Sequence, residues 1–253
     1  MIEVTANDVK FSAYRADPEG APKGAVVVLQ DVYGVNADIR KIADDFAAAG
    51  YVAVAPALFD KVKSSIELGS DAAAEGRSLS AEVGTDWSLE AIQATVDTVK
   101  DAGKVALVGY AWGGFLAYTA ANRLKGVACA IGYHADGLLE GVMEKRRIPT
   151  LIHFAEQDPE ITEEEMIQFR ARRPDVSAFS YPDATRGFAY PASPAYNAAA
   201  ADQALERTLF FVSQFVVGQG PIQLKNSGAY AQAKTEKKGK KKPEADDMGP
   251  PLD

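Results

Sequence analysis

The sequence predicts an α/β protein with a mostly parallel sheet and helices on both faces. Two observations carry this. Short apolar runs alternate along the chain with segments of helical periodicity. The runs are β-branched and do not alternate with polar residues, as expected of strands buried on both faces.

Residues 25–29 form the first run, which ends at Gln30 and Asp31. Asn36 is a good helix N-cap, and Ile39, Ile42, Ala43 and Phe46 follow at helical spacing until Gly50. A second run over 51–55 stops at Pro56. This completes a strand–helix–strand unit whose crossover is expected to be right-handed. The pattern then repeats. Leu89, Ile92, Val96 and Val99 make a helical stripe, 105–108 reads as a strand, and an apolar helix starts at Phe115. Further strands are predicted over 127–131, 150–154 and 177–181, and helices over 163–172 and 197–217.

Residues 1–217 read as a single domain. The extension 218–253 has seven Lys and five acids with little apolar content, which predicts a disordered tail. Such a tail either contacts an acidic surface or nucleic acid, or simply adds solubility. The net charge of −8 leaves an acidic body, which argues against a nucleic-acid surface. No apolar run is long enough to span a membrane, and the start, Met1-Ile2-Glu3-Val4, lacks the pattern of a secretory leader. Cys129 is the one cysteine, so no intrachain disulfide forms and a reducing, cytoplasmic setting is expected. No zinc spacing, phosphate-cradling loop or dinucleotide fingerprint is present. Nothing calls for a metal or an organic cofactor, and the sequence carries no signal of oligomeric state.

The informative segment is Val108-Gly109-Tyr110-Ala111-Trp112-Gly113-Gly114. A strand ending in Gly-x-nucleophile-x-Gly and running into a helix is a nucleophile elbow, in which small residues permit a sharp, crowded turn. Here the central residue is Ala111, so the backbone pattern is present without a reactive atom. The plain alternative is a Gly-rich turn with no chemistry.

The surrounding motifs bear on that choice. The segment from Leu29 through Asp31, Val32 and Tyr33 to Asn36 resembles the first strand and loop of the dienelactone hydrolase family. Pro56-Ala57-Leu58-Phe59 resembles its Pro-Asp-Leu-Tyr element, with Ala57 in place of the acid. The elbow is similar to its Gly-Tyr-Cys-x-Gly-Gly. Ile131-Gly132-Tyr133-His134 resembles its Gly-Tyr-Tyr segment, and residues 181–188 resemble its Tyr-x-x-Ala-x-His-x-Phe loop. Asp158 falls at the place of its triad acid, and Glu206-Arg207-Thr208 matches a run in its final helix. The likeness covers roughly 26–217 in order and implies the α/β-hydrolase fold. It further implies that the amides of Val32 and Trp112 are oxyanion donors.

Two departures follow. Ala111 stands at the nucleophile position and Arg186 at the triad histidine position, leaving Asp158 alone. Alanine has no lone pair for attack, and arginine stays protonated near neutral pH. Arg186 either pairs with Asp158 or faces the cavity and holds an anion bidentately; Arg77 is a weaker candidate for the second job. His153, inside an apolar strand, reads as a core histidine. His134, at a strand end, is the best remaining general base. Asp31 and Tyr33 are expected to line the cavity, with Asp31 either an acid in chemistry or a loop-holding cap. Trp112 either stacks on a flat ligand or packs under a lid.

Three functions remain open. The first is a family member without triad catalysis that binds a small anionic or aromatic ligand in the old active site. The second is a non-covalent acid–base enzyme (a lyase, isomerase or water-activating lactone hydrolase) using Asp31, His134 or Arg186. The third is an ordinary ester or lactone hydrolase disabled by substitution.

Overall fold

The computed structural model describes residues 1–140, 142–144 and 146–218. The tail expected to be disordered, from 219 on, lies outside the described residues. Eight strands form one sheet: β1 (Ile2–Ala6), β2 (Val9–Ala16), β3 (Ala25–Leu29), β4 (Val52–Pro56), β5 (Val105–Tyr110), β6 (Val127–Tyr133), β7 (Thr150–Ala155) and β8 (Ser177–Tyr181). Their spatial order is β1-β2-β4-β3-β5-β6-β7-β8. Pairing from β4 through β3 to β8 is parallel, while β1–β2 and β2–β4 are antiparallel. The described helices are α1 (Ala37–Ala48), α2 (Ala73–Val83), α3 (Thr85–Val99), α4 (Trp112–Arg123), α5 (Glu163–Arg172) and α6 (Ala198–Val212).

The unalternating apolar runs are explained by the two faces of the sheet. Along β3, Ala25, Val27 and Leu29 pack into a cluster with Leu79 of α2, Ile92 of α3 and Leu116 of α4. Val26 and Val28 point the other way and join Ile39 and Phe46 of α1 and Ala204 of α6. Helices therefore cover both faces, as expected. The Asn36 side chain caps α1 by accepting from the Ile39 amide at 3.1 Å.

Two elements are absent from the sequence reading. The β1–β2 hairpin turns through Asn7 and Asp8, both at positive φ (45° and 64°), with Ala6 opposite Val9. This is a tight two-residue turn that Asn and Asp tolerate. Helix α2 is the other. The helix expected over 197–217 is α-helical over Ala198–Val212 and continues with a wider π-type turn over Ser213–Val217. His153 is a core histidine as expected. Its Nδ1 lies 2.7 Å from the Tyr181 hydroxyl and its Nε2 2.9 Å from the Thr208 hydroxyl. Burial, reinforced by the Arg207 charge, lowers its pKa to about 3, so the ring stays neutral.

The strand-to-helix crossing at β5–α4 is the tightest point relevant to the site. A Cβ on Gly109 would lie 2.0 Å from the Gly113 carbonyl oxygen. One on Gly113 would lie 2.4 Å from the carbonyl oxygens of Leu29 and Gln30. These are backbone atoms of buried residues and cannot step aside. Gly109→Ala is expected to destabilise the fold by about 3 kcal/mol or to prevent folding. Urea unfolding checks this; a change below about 1 kcal/mol would show that the crossing relaxes freely.

Candidate functional site

Strand β5 delivers Ala111 to the carboxyl end of the sheet, where parallel sheets bind ligands. Ala111 sits at φ 47°, ψ −111°, a conformation that costs a residue with a Cβ roughly 1–3 kcal/mol. Neighbouring backbone holds it there: the Ala111 amide donates to Tyr133 O at 3.0 Å, and Ala111 O accepts from the Phe115 amide at 3.0 Å. The elbow is therefore formed in full around a side chain that ends at a methyl group.

A cavity of about 340 Å³ opens above Ala111. Six of the eight predicted site residues line it: Asp31, Val32, Tyr33, Ala111, His134 and Arg186. Two do not. The Trp112 ring stacks on Phe59, with centroids 5.6 Å apart and planes at 15°. Of the two roles open to the Trp112 ring, packing is the one formed here. Asp158 lies outside the cavity lining, with its side chain fully buried. Its Oδ1 accepts from the Glu160 amide at 2.9 Å and from Arg186 Nε at 3.1 Å. Of the two roles open to Arg186, pairing with Asp158 is the one formed, yet the guanidinium still reaches the cavity wall. Arg77 pairs with Glu160 at 2.9 Å on the same wall.

The structure adds residues that the sequence did not single out. Tyr190 is buried and donates its hydroxyl to Asp31 Oδ2 at 2.8 Å across 159 positions. Asp136 Oδ1 lies 2.8 Å from Arg186 Nη2, and Glu160 Oε2 lies 4.0 Å away. Asp136 sits two residues after His134 in a strand-end turn, which was the available signal for it. Tyr190 had no comparable signal, because its partner is remote in sequence.

The dienelactone hydrolase family model matches residues 11–216. The chain belongs to the dienelactone hydrolase family. It is 31% identical to a carboxymethylenebutenolidase of Pseudomonas putida over 216 residues, covering 80% of this chain and 91% of the relative. It is 29% identical to carboxymethylenebutenolidase 1 of Cupriavidus pinatubonensis over 222 residues, or 82% and 94% of the two chains. Among solved structures it resembles a dienelactone-hydrolase-like promiscuous phosphotriesterase from metagenomic libraries. That match has a TM-score of 0.71 at 18% identity and covers 85% of this chain and 97% of the other. A Pyrococcus furiosus esterase shares the fold at a TM-score of 0.63 and 15% identity, with 85% and 91% covered. Among the described residues, no helix is long and apolar enough to cross a membrane.

In this dienelactone hydrolase family member the charged groups are set as follows. Burial raises the pKa of Asp31 to about 6, against the pull of hydrogen bonds from the Tyr33 amide and the Tyr190 hydroxyl. Asp31 is therefore both cap and cavity acid: its Oδ1 accepts from the Tyr33 amide at 2.7 Å. His134 is 1% exposed, and its Nδ1 has no hydrogen-bond partner among the described residues. Burial, then the charge of Arg186, pulls its pKa well below the usual histidine value. Its backbone sits at φ 35°, held by the hydrogen bond that its amide donates to His153 O at 2.8 Å. Burial works against the charge on Arg186, but Asp136, Asp158 and Glu160 more than compensate and raise its pKa.

Asp31 supplies a sign-definite test. Its folded pKa of about 6 lies above the ordinary 3.8. Its contribution is fully present below the unfolded value and is lost as pH rises through the folded one. Asp31→Asn mimics the protonated form. Its stability relative to the parent is expected to improve by about 2 kcal/mol between roughly pH 4 and pH 8. Urea titrations at several pH values read this out, and a difference that does not vary with pH would refute the assignment.

Proposed function

We propose that this dienelactone hydrolase family member has no covalent triad catalysis and binds a small molecule in the former active-site cavity. The observation that supports this most is a formed elbow centred on Ala111 beside an Arg186 that is hydrogen-bonded to Asp158. Attack needs a lone pair at the elbow and a base to take its proton. The first position holds a methyl group and the second a permanently protonated guanidinium. The triad acid remains, but as the counter-charge of an arginine.

The cavity volume falls within the range of small-ligand sites, and Tyr33 and Tyr190 give it aromatic walls. The names of the relatives point to a butenolide, so a lactone-sized ring is the natural scale for the ligand. The anionic ligand expected from the resemblance fits less well. Three carboxylates already surround Arg186, so its charge is used internally.

A second reading is favoured by one pair of observations. His134 and an Asp31 with a pKa of about 6 both line the cavity. A carboxyl group titrating near neutrality suits general acid–base work, which would make the chain a lyase, an isomerase or a water-activating hydrolase.

Hydrolysis of an activated ester and of a dienelactone by the parent and by an Ala111→Cys/Arg186→His variant separates the readings. The parent is expected to show no turnover. The variant is expected to exceed it by on the order of a hundredfold, because nucleophile and base are restored beside Asp158. Turnover by the parent that disappears in His134→Ala or Asp31→Asn would replace the binding reading with the acid–base one.

A further inference from the structure

We infer that the free edge of the sheet, strand β8 with the flanking sides of α5 and α6, pairs with the same edge of a second copy of this chain. Strand β8 ends the sheet. Its inner side pairs with β7 in continuous register, and among the described residues the backbone of 177–180 makes no hydrogen bond beyond that pairing. Such an edge is a template for another strand, and proteins usually blunt it with charge, proline or a bulge. Ser177–Tyr181 carries none of these.

The helices on both faces add apolar surface at this edge. Phe179, the middle residue of β8, is 39% exposed, Ile167 of α5 57% and Phe210 of α6 65%. Arg170 donates to the Ser180 hydroxyl, so its side of α5 lies toward β8, and Ile167 stands one turn before it on that side. Arg207 lies over the rings of Phe179 and Tyr181, 4.2 and 5.2 Å from their centroids, and Phe210 stands one turn after it. Three exposed large apolar residues, one from each layer at a single edge, form a patch rather than scattered side chains.

Self-pairing suits this edge in shape, charge and size. Antiparallel pairing of β8 with its copy about a two-fold at Phe179 overlaps the strand in full. Ser177 then stands opposite the partner's Tyr181, and Phe179 opposite the partner's Phe179. The same two-fold runs α5 antiparallel to its copy. The first turn of α5, with Glu163, Glu164 and Glu165, is set toward the last turn of the copy, with Arg170 and Arg172. Strand β8 has no charged residue, so two chains of net charge −8 meet at a neutral seam. A five-residue strand with a helix layer on each face offers roughly 600 Å² per partner, the lower end for a specific pair of chains.

Sedimentation velocity on the full chain, up to about 100 μM, is expected to show a dimer. Ile167→Glu and Phe210→Glu change exposed side chains that the fold tolerates, and each is expected to weaken the dimer by about tenfold or more. Phe179→Cys is expected to give a disulfide-linked dimer on mild oxidation, because facing Cβ atoms in an antiparallel pair lie about 4.5–5.5 Å apart. Asp101→Cys, exposed ahead of the central β5, should give none, and the native Cys129 is buried. A monomer at every concentration would overturn the inference. So would a dimer that survives both glutamates or that Phe179→Cys does not link. In a monomer, lower urea stability of Phe210→Glu would assign the patch to residues 219–253 of the same chain, and unchanged stability to an extended segment of another protein.

Discussion

Strand β5 and helix α4 cross so closely that Gly109 faces the Gly113 carbonyl with no room for a Cβ between them. Gly113 in turn rests on the carbonyl oxygens at the end of β3. Because these contacts are backbone to backbone, they fix the turn whatever side chain stands at its apex. Ala111 is carried into a left-handed conformation that an alanine would not choose alone. Strain of this kind persists only where the surroundings over-determine it. Here the surroundings are the hydrogen bond from the Ala111 amide to Tyr133 O and the first turn of α4. The geometry of the turn therefore belongs to the backbone and not to the side chain at its apex.

A similar constraint of surroundings on a side chain acts at Asp158. Its carboxylate is fully buried and accepts from the Glu160 amide. Removing a partner from a buried charge costs about 3–5 kcal/mol, so the position demands a compensating donor. Arginine supplies both charge and hydrogen bond. It also recruits Asp136 and approaches Glu160, drawing the loops after β6, β7 and β8 into one cluster. The pair with Asp136 is close in distance but poorly aligned for a hydrogen bond at Nη2, so most of the directional bonding lies toward Asp158.

The central parallel strands were legible because burial on both faces removes polar alternation, and 163–172 and 177–181 were read to the residue. The elbow turn around Ala111 was legible because it is a local pattern. What escaped was of two kinds. The β1–β2 hairpin and α2 carry weak signals, the hairpin through an Asn-Asp turn and α2 through an Ala-rich stretch whose buried face is only Gly76, Leu79 and Val83. The contacts of Tyr190 with Asp31 and of Asp136 with Arg186 join distant segments, and no spacing rule encodes them. The direction of the Trp112 ring belongs to this second kind, since Phe59 reaches it from another connection.

Helix α2 also shows which forces shape the cavity and which tune it. A Cβ at Gly76 would lie 1.9 Å from Val32 O, so this helix is set directly against the loop that carries Asp31 and Tyr33. Leu79 and Val83 anchor it in the same core as β3. The ion pair from Arg77 to Glu160 is about half exposed on the Arg side, and exposed pairs contribute roughly 0–1 kcal/mol. The wall is therefore positioned by close packing rather than by its salt bridge. Packing sets the size of what the cavity can admit. The carboxylates and guanidinium groups on its lining set its charge.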